Sequence, residues 1–114
     1  YYTRREPKSK DFLKMLDEVG YNVYENMWGK EDYVVTGSLK GYDRTKELSE
    51  IKVPTLYLTG EYDAARPETV QYYQSLTPKS GFEVISNSGH QTTHDNPLET
   101  IITIRNFINE IDDK

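Results

Sequence analysis

The chain has 114 residues, with 14 Lys plus Arg against 19 Asp plus Glu and a formal net charge of −5. One domain at most fits that length. Leu, Ile, Val and Phe supply 25 residues, about 22%, barely above the ~20% below which highly charged chains tend to stay disordered. The expected core is small, with ten tyrosines and one tryptophan adding apolar surface. An acidic balance without a Lys/Arg cluster argues against nucleic acid or an anionic membrane as partner, and no apolar stretch approaches the ~20 residues that span a bilayer. The absence of cysteine excludes disulfides, Cys-ligated zinc and a thiol nucleophile, and suits a reducing, cytoplasmic compartment. No basic n-region followed by an apolar h-region is present at the start. The chain opens Tyr1-Tyr2-Thr3 with no initiator Met, and is expected to be a processed product or a slice of something longer.

Thr3 to Lys10 is polar and reads as a loop. From Asp11 the apolar positions Phe12, Leu16, Val19, Val23 and Met27 recur at helical spacing, with a break into two short helices expected at Gly20. Trp28-Gly29 ends that element. A short strand is expected at Tyr33-Val34-Val35 and a third short helix at Asp43 to Leu48. Val53 to Gly60 is a nearly all-apolar run typical of a strand buried on both faces of a parallel sheet, with Pro54 tolerable only at its start. Pro67 stands where an N1 proline belongs, opening a helix that Pro78 stops. Phe82 to Ser86 reads as a second strand. Asn96-Pro97 is an N-cap and N1 pair ahead of a helix striped by Leu98, Ile101, Ile102, Ile104, Ile108 and Ile111, a stripe expected to be core. Strand, helix, strand, helix makes a βαβ unit of an α/β sheet. Two such strands do not complete a sheet, so the rest is expected in sequence outside this chain.

In an open α/β sheet, ligands bind beyond the carboxyl ends of the strands. Two polar loops leave those ends: Gly60-Glu61-Tyr62-Asp63, and Asn87-Ser88-Gly89-His90. Asp63 and His90 are therefore expected at one edge, where a carboxylate on one imidazole nitrogen leaves the other able to take a proton from a nucleophile. The order Asp then His matches the last two members of the α/β-hydrolase order Ser…Asp/Glu…His. No Gly-x-Ser-x-Gly elbow exists in the chain. Ser38, within Gly37-Ser38-Leu39-Lys40-Gly41, reads as a turn residue, and Ser86 and Ser88 as loop hydroxyls. His90 and His94 are four apart with Asp95 beside them, but Gln91-Thr92-Thr93 is poor helix and no His-Glu-x-x-His pattern occurs, so no metal site is expected. No cofactor is expected either.

Tyr24-Glu25-Asn26-Met27-Trp28-Gly29, Thr36-Gly37-Ser38-Leu39-Lys40-Gly41-Tyr42-Asp43, Pro54-Thr55-Leu56, Gly60-Glu61-Tyr62-Asp63 with Pro67-Glu68, and Ser88-Gly89-His90 followed by Pro97 together resemble the C-terminal part of proline iminopeptidases. These are α/β-hydrolase serine aminopeptidases that remove an N-terminal residue, often proline, and the L-amino-acid amidases are similar. The resemblance implies that residues 1–36 are the tail of a helical cap (lid) and 37–114 the C-terminal part of the hydrolase core. The nucleophile and oxyanion-hole loop would lie upstream of Tyr1. By position, Asp63 matches the family's triad acid, His90 its general base, and Asp32 one of the cap carboxylates that hold the substrate's α-ammonium. Three positions depart from the family pattern: Ala64 where many members carry Glu, Asp95 where Glu is common, and Lys30 where Pro is usual. The implied function is amide hydrolysis through an acyl-enzyme, on N-terminal prolyl peptides or amino-acid amides. The alternatives are an amidase or esterase of the same fold and a noncatalytic α/β-hydrolase-like binding module. The implied partners are a peptide or amino-acid amide substrate and the missing N-terminal part of the hydrolase. Exposed strand edges would also favour a homo-oligomer.

Overall fold

The computed structural model describes residues 2–31 and 34–113, which fall into two units: Tyr1–Pro7 with Thr45–Lys114, and Lys8–Arg44. In the smaller unit, the Ser9 side chain accepts from the Phe12 N–H at 3.1 Å and so caps helix α1, Lys10–Asp17. Phe12 is buried beneath it. The break expected at Gly20 is present: α1 closes at Glu18 and α2, Tyr21–Met27, begins after Gly20. The chain then turns back on the end of α2. Thr36 and Gly37 N–H groups both donate to Trp28 O, Ser38 N to Asn26 O and Leu39 N to Met27 O. A Cβ on Gly37 would sit 2.6 Å from the Asn26 and Met27 carbonyl oxygens, so that approach requires glycine. Ser38 occupies this turn, as expected. The strand expected at Tyr33–Val35 reduces to one antiparallel bridge, Glu31 to Val34, with Tyr33 outside the described residues.

In the larger unit, β1 (Thr55–Gly60) and β2 (Ser80–Ile85) pair in parallel, from Thr55 opposite Ser80 to Gly60 opposite Ile85. Pro54 stands just before β1, where its missing donor breaks no ladder bond. Helix α3, Pro67–Leu76, makes the crossover with Pro67 in its first turn and packs on both strands. Tyr57 Oη and Thr77 Oγ1 are 2.7 Å apart, and Gln74 Nε2 donates to Ser80 O at 3.1 Å, fixing the return into β2. The helix expected at Asp43–Leu48 is instead a 3₁₀ helix at Thr45–Glu50. A one-turn helix α4, Thr92–Asp95, forms where poor helix was expected. Its cause is tertiary: Thr100 Oγ1 lies 3.2 Å from Thr92 O and 2.8 Å from Asn96 O, tying the turn to the next helix. That helix, α5, Pro97–Asp112, starts as predicted, its Asn96 side chain accepting from Glu99 N and donating to Ser86 O at 2.9 Å.

The isoleucine stripe of α5 is not core in this chain. Ile101, Ile102, Ile104, Ile108 and Ile111 are 36–49% exposed and Leu98 is 71% exposed. The reason is dimensional. Two strands ~4.8 Å apart make a surface narrower than a helix about 10 Å across, so the two-stranded sheet cannot cover the stripe. The fully buried side chains of this unit are instead Ile85, at the carboxyl end of the sheet, Ser88 in the loop that follows it, and Thr100. No helix among the described residues is long and apolar enough to cross a membrane.

Candidate functional site

Because the strands are parallel and in register, Gly60 and Ile85 end side by side. The loops that follow are stitched together: Glu61 N donates to Ile85 O at 2.9 Å, Tyr62 N to Ser88 O at 2.8 Å, and Asn87 N to Glu61 Oε2 at 2.8 Å. The closeness depends on Gly60, since a Cβ there would lie 2.6 Å from Ser88 O and closer still to Gly89 O. Gly60→Ala is therefore expected to cost about 1–3 kcal/mol, the usual penalty for overpacking, and to push the two loops apart. Denaturant midpoints against the unaltered protein measure it; an unchanged midpoint would mean the loops are not locked there.

These loops bring Asp63 and His90 together. The His90 Nδ1 lies 3.1 Å from both Asp63 Oδ1 and Asp63 Oδ2. The Asp63 side chain is 5% exposed and that of His90 is 56% exposed. Asp63 is oriented from behind by Ala65 N, which donates to Oδ1 at 2.9 Å, and by the Thr59 hydroxyl, 3.3 Å from Oδ2 and 3.0 Å from Ala65 O. A carboxylate only accepts, so Nδ1 is the donor and Nε2 of the neutral ring keeps its lone pair. The pair thus has one buried acceptor, fixed by its own chain, and one imidazole with its far nitrogen available for proton transfer. An open cleft of about 480 Å³ lies beside Asp63, bounded by Arg4, Glu61, Tyr62, Arg66 and Glu68. The Arg4 guanidinium sits 4.1 Å from the centre of the Tyr62 ring.

Asp32, the third residue singled out in the sequence, lies outside the described residues. His94 is buried on α4, and among the described residues no three His, Cys, Asp or Glu side chains converge as a metal site. Sequence reasoning missed Thr59, the Ala65 N–H and the surroundings of Asp95. Asp95 accepts from Arg4 N at 2.7 Å, Arg5 N at 2.8 Å and Gly89 N at 2.8 Å. Burial alone would raise its pKa, but these three backbone donors, with His94 nearby, outweigh burial and hold the carboxyl below its ordinary 3.8. A depressed value in the folded protein means that its stabilising contribution is complete above the unfolded value and is lost only as pH falls through the lower, folded one. Nothing in the local sequence announces the bonds from Arg4 and Arg5, because those two donors lie about ninety positions away.

No family model matches the chain. The proline iminopeptidase of Heyndrickxia coagulans is 40% identical over 114 residues, 97% of this chain and 39% of the relative. The crystal structure of the Mycobacterium smegmatis proline iminopeptidase superposes with a TM-score of 0.87 at 26% identity, over 96% of this chain and 38% of that one. The structure of VinJ gives a TM-score of 0.82 at 31% identity, over 96% and 38%. The chain thus spans about two fifths of the length of the first of the curated relatives it matches. Nearly the whole chain matches proline iminopeptidases in sequence and in three-dimensional form, and it has the fold of the C-terminal part of an α/β-hydrolase.

Proposed function

We propose that this chain supplies the acid and the general base of a serine hydrolase that cleaves N-terminal proline, or another N-terminal residue, from peptides or amino-acid amides. In this reading a serine from sequence not in this chain attacks the carbonyl. His90 takes the hydroxyl proton at Nε2 and returns it to the leaving amine, and Asp63 holds the imidazole by Nδ1. Asp32 binds the substrate ammonium. Residues 1–36 act as the tail of the cap and 37–114 as hydrolase core. The setting is cytoplasmic, and the exposed α5 stripe is covered by the remainder of the hydrolase. The observation that carries the reading is the contact of His90 Nδ1 with both oxygens of a buried Asp63 at the shared carboxyl edge of two parallel strands.

The test joins this chain to the part of the Heyndrickxia coagulans enzyme that it does not match, so that the hybrid carries both portions. Hydrolysis of a prolyl arylamide, with much weaker cleavage when the amine is blocked, is the expected result. Equal cleavage of the blocked substrate would remove ammonium recognition and favour a general amidase or esterase. A folded hybrid inert toward arylamides, amides and esters would overturn the enzymatic reading in favour of a binding module.

A further inference from the structure

We propose that Asp95 is a positioning residue for His90: its carboxylate clamps the His90 loop and the Tyr2–Arg5 segment into one frame, and that frame sets the imidazole against Asp63. The consequence for turnover rests on the hydrolase reading above; the clamp itself does not.

The His90 ring is bonded to Asp63 and stacked on Tyr2. It is more than half exposed and is carried by the residue after Gly89, the residue type with the widest backbone freedom. The Ser88 hydroxyl donates to Gly89 O at 3.0 Å, and the Gly89 N–H donates to Asp95 Oδ2, the oxygen that also receives Arg4 N, while Oδ1 receives Arg5 N. The α4 turn puts the carboxylate there, since the His94 and Asp95 N–H groups both donate to Gln91 O and curl the chain back over Gly89. The clamped segment in turn flanks the imidazole. The Tyr2 ring stacks on His90 at 5.8 Å between centroids and 22° between planes, Gln91 N donates to Tyr2 O at 2.9 Å, and Gln91 Nε2 donates to Tyr2 Oη at 2.8 Å. Arg5 Nη1 adds a bond to His94 O at 3.3 Å. One carboxylate therefore joins two segments about ninety residues apart in sequence, the one that carries His90 and the one that carries its stacking partner Tyr2.

The chemistry demands a carboxylate. Three N–H donors approach two oxygens, and asparagine offers one oxygen and an amide that would face either Arg5 N–H or both Arg4 and Gly89 N–H groups. Glutamate keeps both oxygens on a longer stem.

Histidine-selective ¹⁵N NMR reads the proposal through the His90 Nδ1–H, in this chain and in the hybrid. Asp95→Asn is expected to broaden or remove that signal and, in the hybrid, to lower kcat by about 10²-fold at unchanged KM, the scale of a 1 Å misplacement. Asp95→Glu is expected to recover most of both. Tyr57→Phe, which removes a hydrogen bond elsewhere in the unit, is expected to lower thermal stability without moving the His90 signal, separating general loosening from positioning. A folded Asp95→Asn protein with an unchanged Nδ1–H signal overturns the clamp. Should that variant not fold, amide exchange at Gly89 in the unaltered protein decides: protection of about 100-fold over a free peptide supports the bond, and exchange at the free-peptide rate overturns it. An unaltered hybrid that fails to hydrolyse anything while its His90 signal responds to Asp95→Asn defeats the hydrolase reading and leaves the clamp standing.

Discussion

Replacing His90 with alanine is expected to abolish turnover of the complete hydrolase almost entirely, by about 10⁶, the scale seen when the general base of a serine triad is removed. The physical reason is that a serine hydroxyl is a poor nucleophile until its proton has somewhere to go, and among the described residues His90 is the imidazole that stands at the strand ends with a partner on Nδ1. The loss should fall on kcat, because His90 is assigned no share in holding the substrate amine. Steady-state kinetics of the hybrid measure it. A variant retaining a tenth of the activity would place the base elsewhere.

Asp63→Asn is the second large effect, expected at about 10⁴ on the precedent of serine proteases. Asparagine keeps the volume and one acceptor oxygen, but its amide can face Nδ1 and turn the imidazole to the tautomer whose lone pair points the wrong way. The loss should be smaller than for His90→Ala because the base survives in the wrong protonation pattern. The two changes should not add. Once His90 is gone, Asp63 has no imidazole to orient, and the double variant should be no slower than His90→Ala alone. A further large drop in the double variant would show Asp63 acting on something other than His90.

The parts of this arrangement that rest on local chemistry were legible in the sequence. Pro67 and Asn96-Pro97 announce helix starts because a missing N–H and a side-chain acceptor are tolerated or wanted only there. The apolar run into Gly60 and the run into Ile85 announce parallel strands, and the strand-end rule then puts Asp63 and His90 on one rim, where the structure has them in contact. What depends on distant partners was not legible. The turn at Thr92–Asp95 carries weak helical residues and is held by Thr100, and the Asp95 carboxylate is satisfied by donors at positions 4, 5 and 89. The stripe from Ile101 to Ile111 shows the opposite limit. Periodicity identifies an apolar face, but not whether the chain in hand contains enough sheet to cover it, and here it does not.

The central claim is that the Asp63–His90 pair activates a serine hydroxyl, and covalent labelling by a serine-directed fluorophosphonate tests it most directly. In the hybrid, one serine in the portion joined to this chain should be modified rapidly, and His90→Ala should slow that modification by several orders of magnitude while the fold is retained. Modification at the same rate with and without the imidazole would contradict the account.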